Sequence, residues 1–292
     1  MYSPKKLILG TVQFGLDYGI NNPKGQLSTN ESAKILAGAL EGGIQCLDTA
    51  AGYGSSEEVI GAFVLEQEQV PFDIITKLSV TEGLGPKGSL KKSLSRLQID
   101  CLDTILFHSF QHYQQSTGQL KEIESCVAEG LVKKIGVSVY TNEELEALIN
   151  ADDIAVIQAP FNLFDNDAKR GAIFQALKDS GKEVHTRSVF LQGLFFKSYE
   201  SFPTLLKPLI EPLMVLRALC KKYDTDMASL ALCYPLSKPY LDRVLIGVDS
   251  LAQLEANLSI LGNPVVGEML EEIDATINVR QIDLLNPALW KK

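Results

Sequence analysis

The sequence predicts a closed α/β barrel of eight parallel strands, each followed by a helix, a single (β/α)8 TIM barrel. Three observations predict it. Short apolar runs suited to buried parallel strands alternate with segments of helical periodicity along the whole chain. The connections are short, and no compositional shift or low-complexity stretch marks a linker in the 292 residues. An open doubly wound sheet also buries its strands, but eight units in unbroken order favour closure. Residues 1–292 are therefore expected to form one barrel domain with an extra C-terminal helix and a tail around Trp290.

Taken in order, Leu7 to Thr11 is a first short strand. The glycines and Asn21-Asn22-Pro23 that follow make Gln13 to Leu27 a loop. Ser28-Thr-Asn-Glu31 is a capping box for a helix with Ile35, Leu36, Ala39 and Leu40 on its buried face, and Gly42-Gly43 end it. Ile44 to Leu47 is the second strand, stopping at Asp48, and Ser55-Ser-Glu-Glu58 reads as another capping box. Asp73 to Lys77 and a helix over Leu90 to Leu97 follow, then the strand Leu102 to Phe107, ending at His108. A helix from Leu120 to Glu129 precedes the strand Lys134 to Ser138, and Thr141-Asn-Glu-Glu144 caps the next helix. Ile154 to Gln158 and Glu183 to Ser188 are strands six and seven, on either side of a helix over Ala168 to Ser180. A loop through Gln192-Gly193 leads to helical segments at Leu213 to Lys222 and Met227 to Leu236. Arg243 to Gly247 is the eighth strand, Ser250-Leu-Ala-Gln253 caps the eighth helix, and Glu268 to Asn278 is the extra one.

The composition, 46% hydrophobic and 22% charged, is that of a globular protein with a large core. Acidic residues outnumber basic ones by 36 to 27, a net charge of -9, which argues against nucleic acid or an anionic membrane as partner. It leaves room for a local site that binds a small anion. The five cysteines (Cys46, Cys101, Cys126, Cys220, Cys233) are odd in number and form no C-x-x-C pair. Most lie in apolar surroundings, so they are expected to be buried free thiols in a reducing, cytoplasmic compartment. The apolar run after Lys5-Lys6 breaks at Gly10-Thr11, too early for a signal peptide, and no run approaches about 18 apolar residues.

In such a barrel, the carboxyl ends of the strands carry the chemistry. Those ends read Asp48 with Tyr53 in the loop after it, Lys77, His108, Ser138, Gln158 and Ser188. Each has a plain alternative: a turn cap for Asp48, a loop aromatic for Tyr53, a solvated charge for Lys77, a structural imidazole for His108. Their coincidence at adjacent ends suits proton transfer to a carbonyl oxygen while hydride reaches its carbon. An unperturbed phenol, with a pKa of about 10, is a poor acid–base group near neutrality, and a neighbouring ammonium would lower that value. Asp48 would hold Lys77 charged, and His108 could donate a hydrogen bond to the substrate oxygen.

Asp48-Thr-Ala-x-x-Tyr53-Gly-x-Ser-Glu57, Thr76-Lys77, Leu106-Phe107-His108 and Gly136-Val-Ser138 resemble the aldo-keto reductase superfamily, over nearly the whole chain and in the right order. The resemblance implies reduction of an aldehyde or ketone, sugar-derived ones included, with Tyr53 as general acid, Lys77 and Asp48 as its tuners and His108 orienting the carbonyl. It further implies nicotinamide contacts from Ser138 and Gln158, a cofactor-covering loop at Arg187, Ser188, Gln192, Gly193 and Leu194, and an adenosine region at Gly247, Ser250, Gln253 and Asn257. Gly10 and Thr11 join these on the first strand. NADP(H) is the family default and NAD(H) is compatible. This chain departs from the family at Val139, where asparagine is frequent. It also has Gln253 where many members have arginine, no lysine near Gly247, an added Asp249, and a short loop after Tyr53.

Gly83-Leu-Gly85-Pro-Lys-Gly88 satisfies G-x-G-x-x-G but starts six residues past Lys77, contains Pro86 and lacks an acidic residue at the right distance, so it reads as a loop rimming the mouth. Two other functional classes are compatible with the residues: a Schiff-base aldolase or lyase on Lys77, and a low-turnover, cofactor-binding regulatory barrel. The substrate-shaping loops are expected at Gln13 to Leu27, Ser109 to Thr117 and Phe195 to Lys207, with Phe14, Tyr18, Phe110, Phe161 and Phe195 as candidate pocket aromatics. Nothing in the sequence sets the oligomeric state.

Overall fold

Eight parallel strands close on themselves in chain order, β1 (Leu7–Gly10), β2 (Cys46–Asp48), β3 (Asp73–Lys77), β4 (Leu102–Phe107), β5 (Val132–Ser138), β6 (Val156–Pro160), β7 (Glu183–Arg187) and β8 (Arg243–Gly247), with β8 pairing back to β1. The structure is a computed structural model that describes residues 1–22, 24–78, 84–265 and 267–290. Alternation along each strand builds two apolar layers. Ile8, Cys46, Ile75, Leu106 and Val156 fill the barrel interior, while Leu7, Leu9, Leu47, Ile74 and Ile105 face the helices.

The helices are α1 (Val12–Gly15), α2 (Thr29–Glu41), α3 (Ser56–Leu65), α4 (Pro86–Leu97), α5 (Phe110–Gln115) and α6 (Leu120–Ala128), then α7 (Asn142–Leu148), α8 (Asp167–Asp179), α9 (Ile210–Lys222), α10 (Met227–Leu236), α11 (Leu251–Ile260) and α12 (Glu268–Thr276). The expected capping boxes at Ser28–Glu31 and Thr141–Glu144 are both formed. Leu40 is exposed, however, so the buried face of α2 is Ser32, Ile35, Leu36 and Ala39. The predicted box at Ser55 does not form. Ser55 is the N-cap residue but its side chain makes no cap bond, while Ser56 and Glu57 turn inward. The Ser56 hydroxyl donates to the Thr11 carbonyl at 2.9 Å, and Glu57 accepts from Thr76 at 2.7 Å and from Arg96 at 3.3 Å. The two side chains that the box needs are engaged elsewhere: Ser55 accepts from Gln26 at 3.3 Å, and Glu58 meets Arg96 at 3.0 Å.

Proline at the first helical turn, preceded by Gly85, starts α4 four residues before Leu90. The second half of the glycine motif is therefore helix, and Gly83 lies outside the described residues. Two short helices, α1 and α5, and 3-10 turns at Leu191–Phe196 and Thr204–Leu209 occupy segments read as loop. Among the cysteines, Cys101 is exposed and the other four are buried, all free. No described helix is long and apolar enough to cross a membrane.

A buried ion pair fixes the loops beyond β5 and β6. Arg170 meets both carboxylate oxygens of Asp165 at 2.8 and 3.0 Å, and also donates to the Tyr140 carbonyl at 2.6 Å and to Asn142 at 2.7 Å. Both side chains are almost inaccessible, at 4% and 3% exposure. Removing one partner strands the other in low dielectric. Asp165→Ala should cost about 3–5 kcal/mol in urea unfolding, the range typical of a broken buried pair, and a loss below ~1 kcal/mol would show that Arg170 finds water instead.

Candidate active site

Parallel pairing sets the strand ends side by side: Asp48 opposite Ile75, Lys77 opposite Leu106, Ser138 opposite Gln158. From β3, the Lys77 ammonium reaches across to donate to Asp48 Oδ1 and, at 3.1 Å, to the Thr49 carbonyl. From β6, Gln158 Nε2 donates to Asp48 Oδ2 at 2.8 Å. Both carboxylate oxygens are thus engaged, and all three side chains are buried. Lys77 Nζ stands 5.1 Å from the centroid of the Tyr53 ring, and the His108 ring meets that ring edge-on at 6.2 Å. The four residues expected at the mouth come together.

Tyr53 sits on a loop with little room to move. A Cβ on Gly15 would fall 1.7 Å from the Tyr53 carbonyl oxygen, so α1 can lie against this turn only with glycine there. The Tyr53 amide bonds Ala50 and its carbonyl accepts from Ser56, which ties the turn to α3. The Ser55 region does restrain the tyrosine, through backbone contacts and not through a capping box.

The electrostatics set the protonation states. Burial pushes the Tyr53 phenol above its ordinary value, and the lowering pull of Lys77 does not reverse this. The expected net lowering is therefore absent, and the phenol holds its proton at neutral pH. For Lys77, burial acts downward, but the Asp48 carboxylate and Tyr53 more than offset it, so the amine is raised and stays an ammonium. His108 is lowered to about 4, first by desolvation at the pocket wall and then by the positive charge of Lys77. Its ring keeps contact with water. That contact moderates the shift without reversing its direction, and the imidazole is neutral.

These groups open into a cavity of about 500 Å³. Gly10, Thr11, Ser138 and Gln158 line its floor, and Arg187, Ser188, Gln192 and Gly193 line one wall. Gly247 at the end of β8 and Gln253 and Asn257 on α11 also line it. Leu194 instead points into the apolar core, and Ser250 is the N-cap of α11, accepting from the Gln253 amide. Gln253 Oε1 accepts from the Asp249 amide at 2.8 Å, so its capping and its exposure to the cavity coexist. Burial pushes Asp249 up, against hydrogen bonding by Gln13 and Gln253 and the charge of Lys24.

Of the five candidate aromatics, Tyr18 lines the cavity. Phe14, Phe161 and Phe195 are wholly buried, Phe161 stacked on Tyr234 at 5.3 Å and Phe195 edge-on to Phe164 at 5.0 Å. Tyr140, Phe190 and Phe196 line it and were not foreseen. Tyr140, two residues past the end of β5, was findable by position alone. The wall beyond β7 is strained: Ser188, Leu191 and Gln192 all have positive φ (61°, 47° and 54°). Bonds from Gln192 to the Tyr18 hydroxyl at 3.0 Å and from Lys197 to the Ile20 carbonyl at 3.0 Å hold it against the first loop.

A nicotinamide dinucleotide fits these residues. The Gln158 amide is oriented by its bond to Asp48, which leaves Oε1 as a buried acceptor without a protein partner, and Gln13 Oε1 is another. The orphaned Gln158 acceptor beside Ser138 matches a carboxamide donor.

A phenol, an ammonium and a neutral imidazole converging on one cavity form an arrangement suited to carrying a proton to or from a carbonyl oxygen, and the family match makes the protein an oxidoreductase acting on carbonyl and alcohol groups. The chain belongs to the aldo/keto reductase family, whose profile matches residues 6–278. It is 25% identical over 289 residues to a D-threo-aldose 1-dehydrogenase of Pseudomonas sp, covering 83% of this chain and 87% of the relative. It is 24% identical over 282 residues to an NADH-specific methylglyoxal reductase of Escherichia coli (strain K12), covering 80% and 85%. In fold it is similar to an aldo-keto reductase from Bacillus halodurans in its holo form, with a TM-score of 0.76 at 20% identity over 95% of this chain and 94% of that one.

The His108 shift carries a stability signature. Its native pKa of about 4 lies below the ordinary 6.5. As pH falls through 6.5 the unfolded chain takes up a proton there, and the native state does not until about 4. Stability therefore falls across that window on account of this group. His108→Asn should lose stability less steeply between pH 6.5 and 4 in urea titrations, and equal slopes would place the imidazole in its ordinary range.

Proposed function

We propose that this barrel reduces an aldehyde or ketone to an alcohol, with Tyr53 as the proton donor, Lys77 and Asp48 as the pair that tunes it, and His108 as the group that orients the carbonyl. The observation that carries the proposal is the contact of Lys77 with both Asp48 and the Tyr53 ring at the ends of two adjacent strands, β2 and β3. The bound dinucleotide supplies the hydride. The chain's own residues do the rest. Tyr53 retains its proton at neutral pH and can release it to an oxygen that becomes alkoxide-like. The phenolate left behind is stabilised by the adjacent ammonium. Neutral His108 keeps an N–H for the same oxygen without competing as an acid.

The Schiff-base reading is disfavoured. An amine that attacks a carbonyl must be neutral, and Lys77 is pinned by two hydrogen bonds with its pKa raised. Tyr53→Phe keeps the ring and removes the proton. It should cost about 10²–10⁴ in turnover, the usual worth of a general acid, while the fluorescence change on NADH binding persists. Near-wild-type turnover in this variant overturns the acid role. Tight cofactor binding with negligible wild-type turnover on many carbonyls would favour the regulatory alternative.

The cofactor preference is read in the cavity lining after β8. Lys77 and Arg187, the lysine and arginine of the lining, end β3 and β7, whereas the part of the lining after β8 holds Asp249, Gln253 and Asn257. A 2′-phosphate would meet a carboxylate there and no lining cation, so NAD(H) suits these residues better than the family's default NADP(H). Substrates of the kind named for the two relatives, aldoses and methylglyoxal, are the first to try, and the free thiols suit a cytoplasmic setting. Gln253→Arg should tighten NADPH binding by roughly 10–100-fold, the range for a charged hydrogen bond of about 1.5–3 kcal/mol, and leave NADH binding within about twofold. An unchanged ratio means that the adenosine end is read elsewhere.

A further inference from the structure

Arg187 ends β7 at the mouth of the cavity, half-buried, and lines that cavity; Arg217, which likewise meets one carbonyl and one tyrosine ring, does not line it. Arg96, Arg170 and Arg243 each have a carboxylate within 3.7 Å or closer. No carboxylate among the described residues pairs with Arg187. Its Nη2 donates to the Val139 carbonyl at 3.1 Å, and the guanidinium carbon lies 4.0 Å from the centroid of the Tyr140 ring. These two contacts fix the plane of the fork and leave most of its five donors without a protein acceptor. The Tyr140 backbone is in turn held by Arg170, so the platform is rigid.

A partly desolvated charge without a counter-ion is costly. The chain carries 36 acidic residues, yet none of those described compensates this cation. The charge stands close enough to the reacting groups to act on both Tyr53 and His108. Its two contacts, the Val139 carbonyl and the Tyr140 ring, belong to the end of β5 and the loop after it, whereas Asp249 and Gln253 follow β8. A planar fork with free donors matches the paired oxygens of a carboxylate or phosphate.

We infer that Arg187 is a specificity residue that grips an anionic group of the carbonyl substrate, so that the preferred substrates are small aldehydes or ketones bearing a carboxylate or a phosphate. The inference rests on the carbonyl-reductase reading above. Sequence resemblance groups Arg187 with the cofactor-covering wall. The geometry points past that wall to the substrate side, where Tyr140 holds the fork at the mouth.

The test uses the full chain with NADH and two matched pairs, butanal against succinate semialdehyde and glyceraldehyde against glyceraldehyde 3-phosphate. The anionic member of at least one pair should be favoured tenfold or more in kcat/KM, with the difference in KM. The first pair isolates carboxylate and the second phosphate. In Arg187→Gln the ratio within the favoured pair should collapse toward one, and Arg187→Lys should restore part of it. A wild-type ratio near one in both pairs overturns the inference, as does a ratio that survives in Arg187→Gln. So does a loss of NADH affinity in Arg187→Gln as large as the loss of the ratio, because the cation would then serve the dinucleotide. Unreactive succinate and inorganic phosphate, read by thermal shift with NADH present, separate the two readings. Arg187-dependent stabilisation without turnover of any aldehyde supports the anion site and sinks the reductase reading. No stabilisation by either anion, with neutral aldehydes reduced well, does the reverse.

Discussion

Lys77 is an ammonium with almost no access to water, and it keeps its charge because Asp48 faces it across the end of the barrel. The pair stitches β2 to β3, and Gln158, by taking the second carboxylate oxygen, brings in β6 from the far side of the mouth. Breaking such a pair usually costs about 3–5 kcal/mol, because the remaining charge is stranded. The same bonds that hold the strand ends in place also fix the charge beside Tyr53. Stability and electrostatics are therefore not separable at Asp48, whereas Tyr53 reaches Lys77 from the loop after β2 and does not itself join two strands.

The phenol shows how two opposing effects resolve. Proximity of an ammonium favours phenolate and burial favours phenol, and here burial prevails. That outcome suits a group that must donate a proton. The ammonium becomes most useful after the transfer, when the oxygen carries charge. A stabilising effect confined to the charged product is what differential binding requires.

Much of this was legible in the chain because parallel strands advertise themselves. Each is a short apolar run, and the polar residue that ends it lies at the mouth, so Asp48, Lys77, His108, Ser138 and Gln158 could be placed from one dimension. What could not be read was the direction of side chains in loops. Phe14, Phe161 and Phe195 look like Tyr18 in sequence, yet the first three pack inward and Tyr18 lines the cavity. Local pattern also misled at Ser55-Ser-Glu-Glu58, where partners distant in sequence, Gln26 for Ser55 and Arg96 for Glu58, took the side chains that a cap would need. The isolation of Arg187 is likewise an absence, and absences of partners belong to three dimensions only.

The wall that begins at Arg187 joins these threads. Non-glycine residues at positive φ cost energy, on the order of 1–3 kcal/mol each, and three fall within Ser188 to Gln192. Gly193 takes the same sign of φ without strain, being glycine, and a side chain there would meet Asn21 at 2.7 Å. The turn persists because the first loop braces it at Tyr18, Ile20 and Asn21. Two loops 170 residues or so apart in sequence, as Gln192 and Tyr18 are separated by 174, thus hold one shape together. The rigidity extends to the Val139 carbonyl and Tyr140 through Arg187 itself. An anion at the mouth would meet a guanidinium already oriented, so little side-chain entropy remains to be lost on binding. Preorganisation on this side of the cavity and preorganisation at Lys77 have one origin: each cation is held by groups on a neighbouring strand or loop, one with its charge answered and one without.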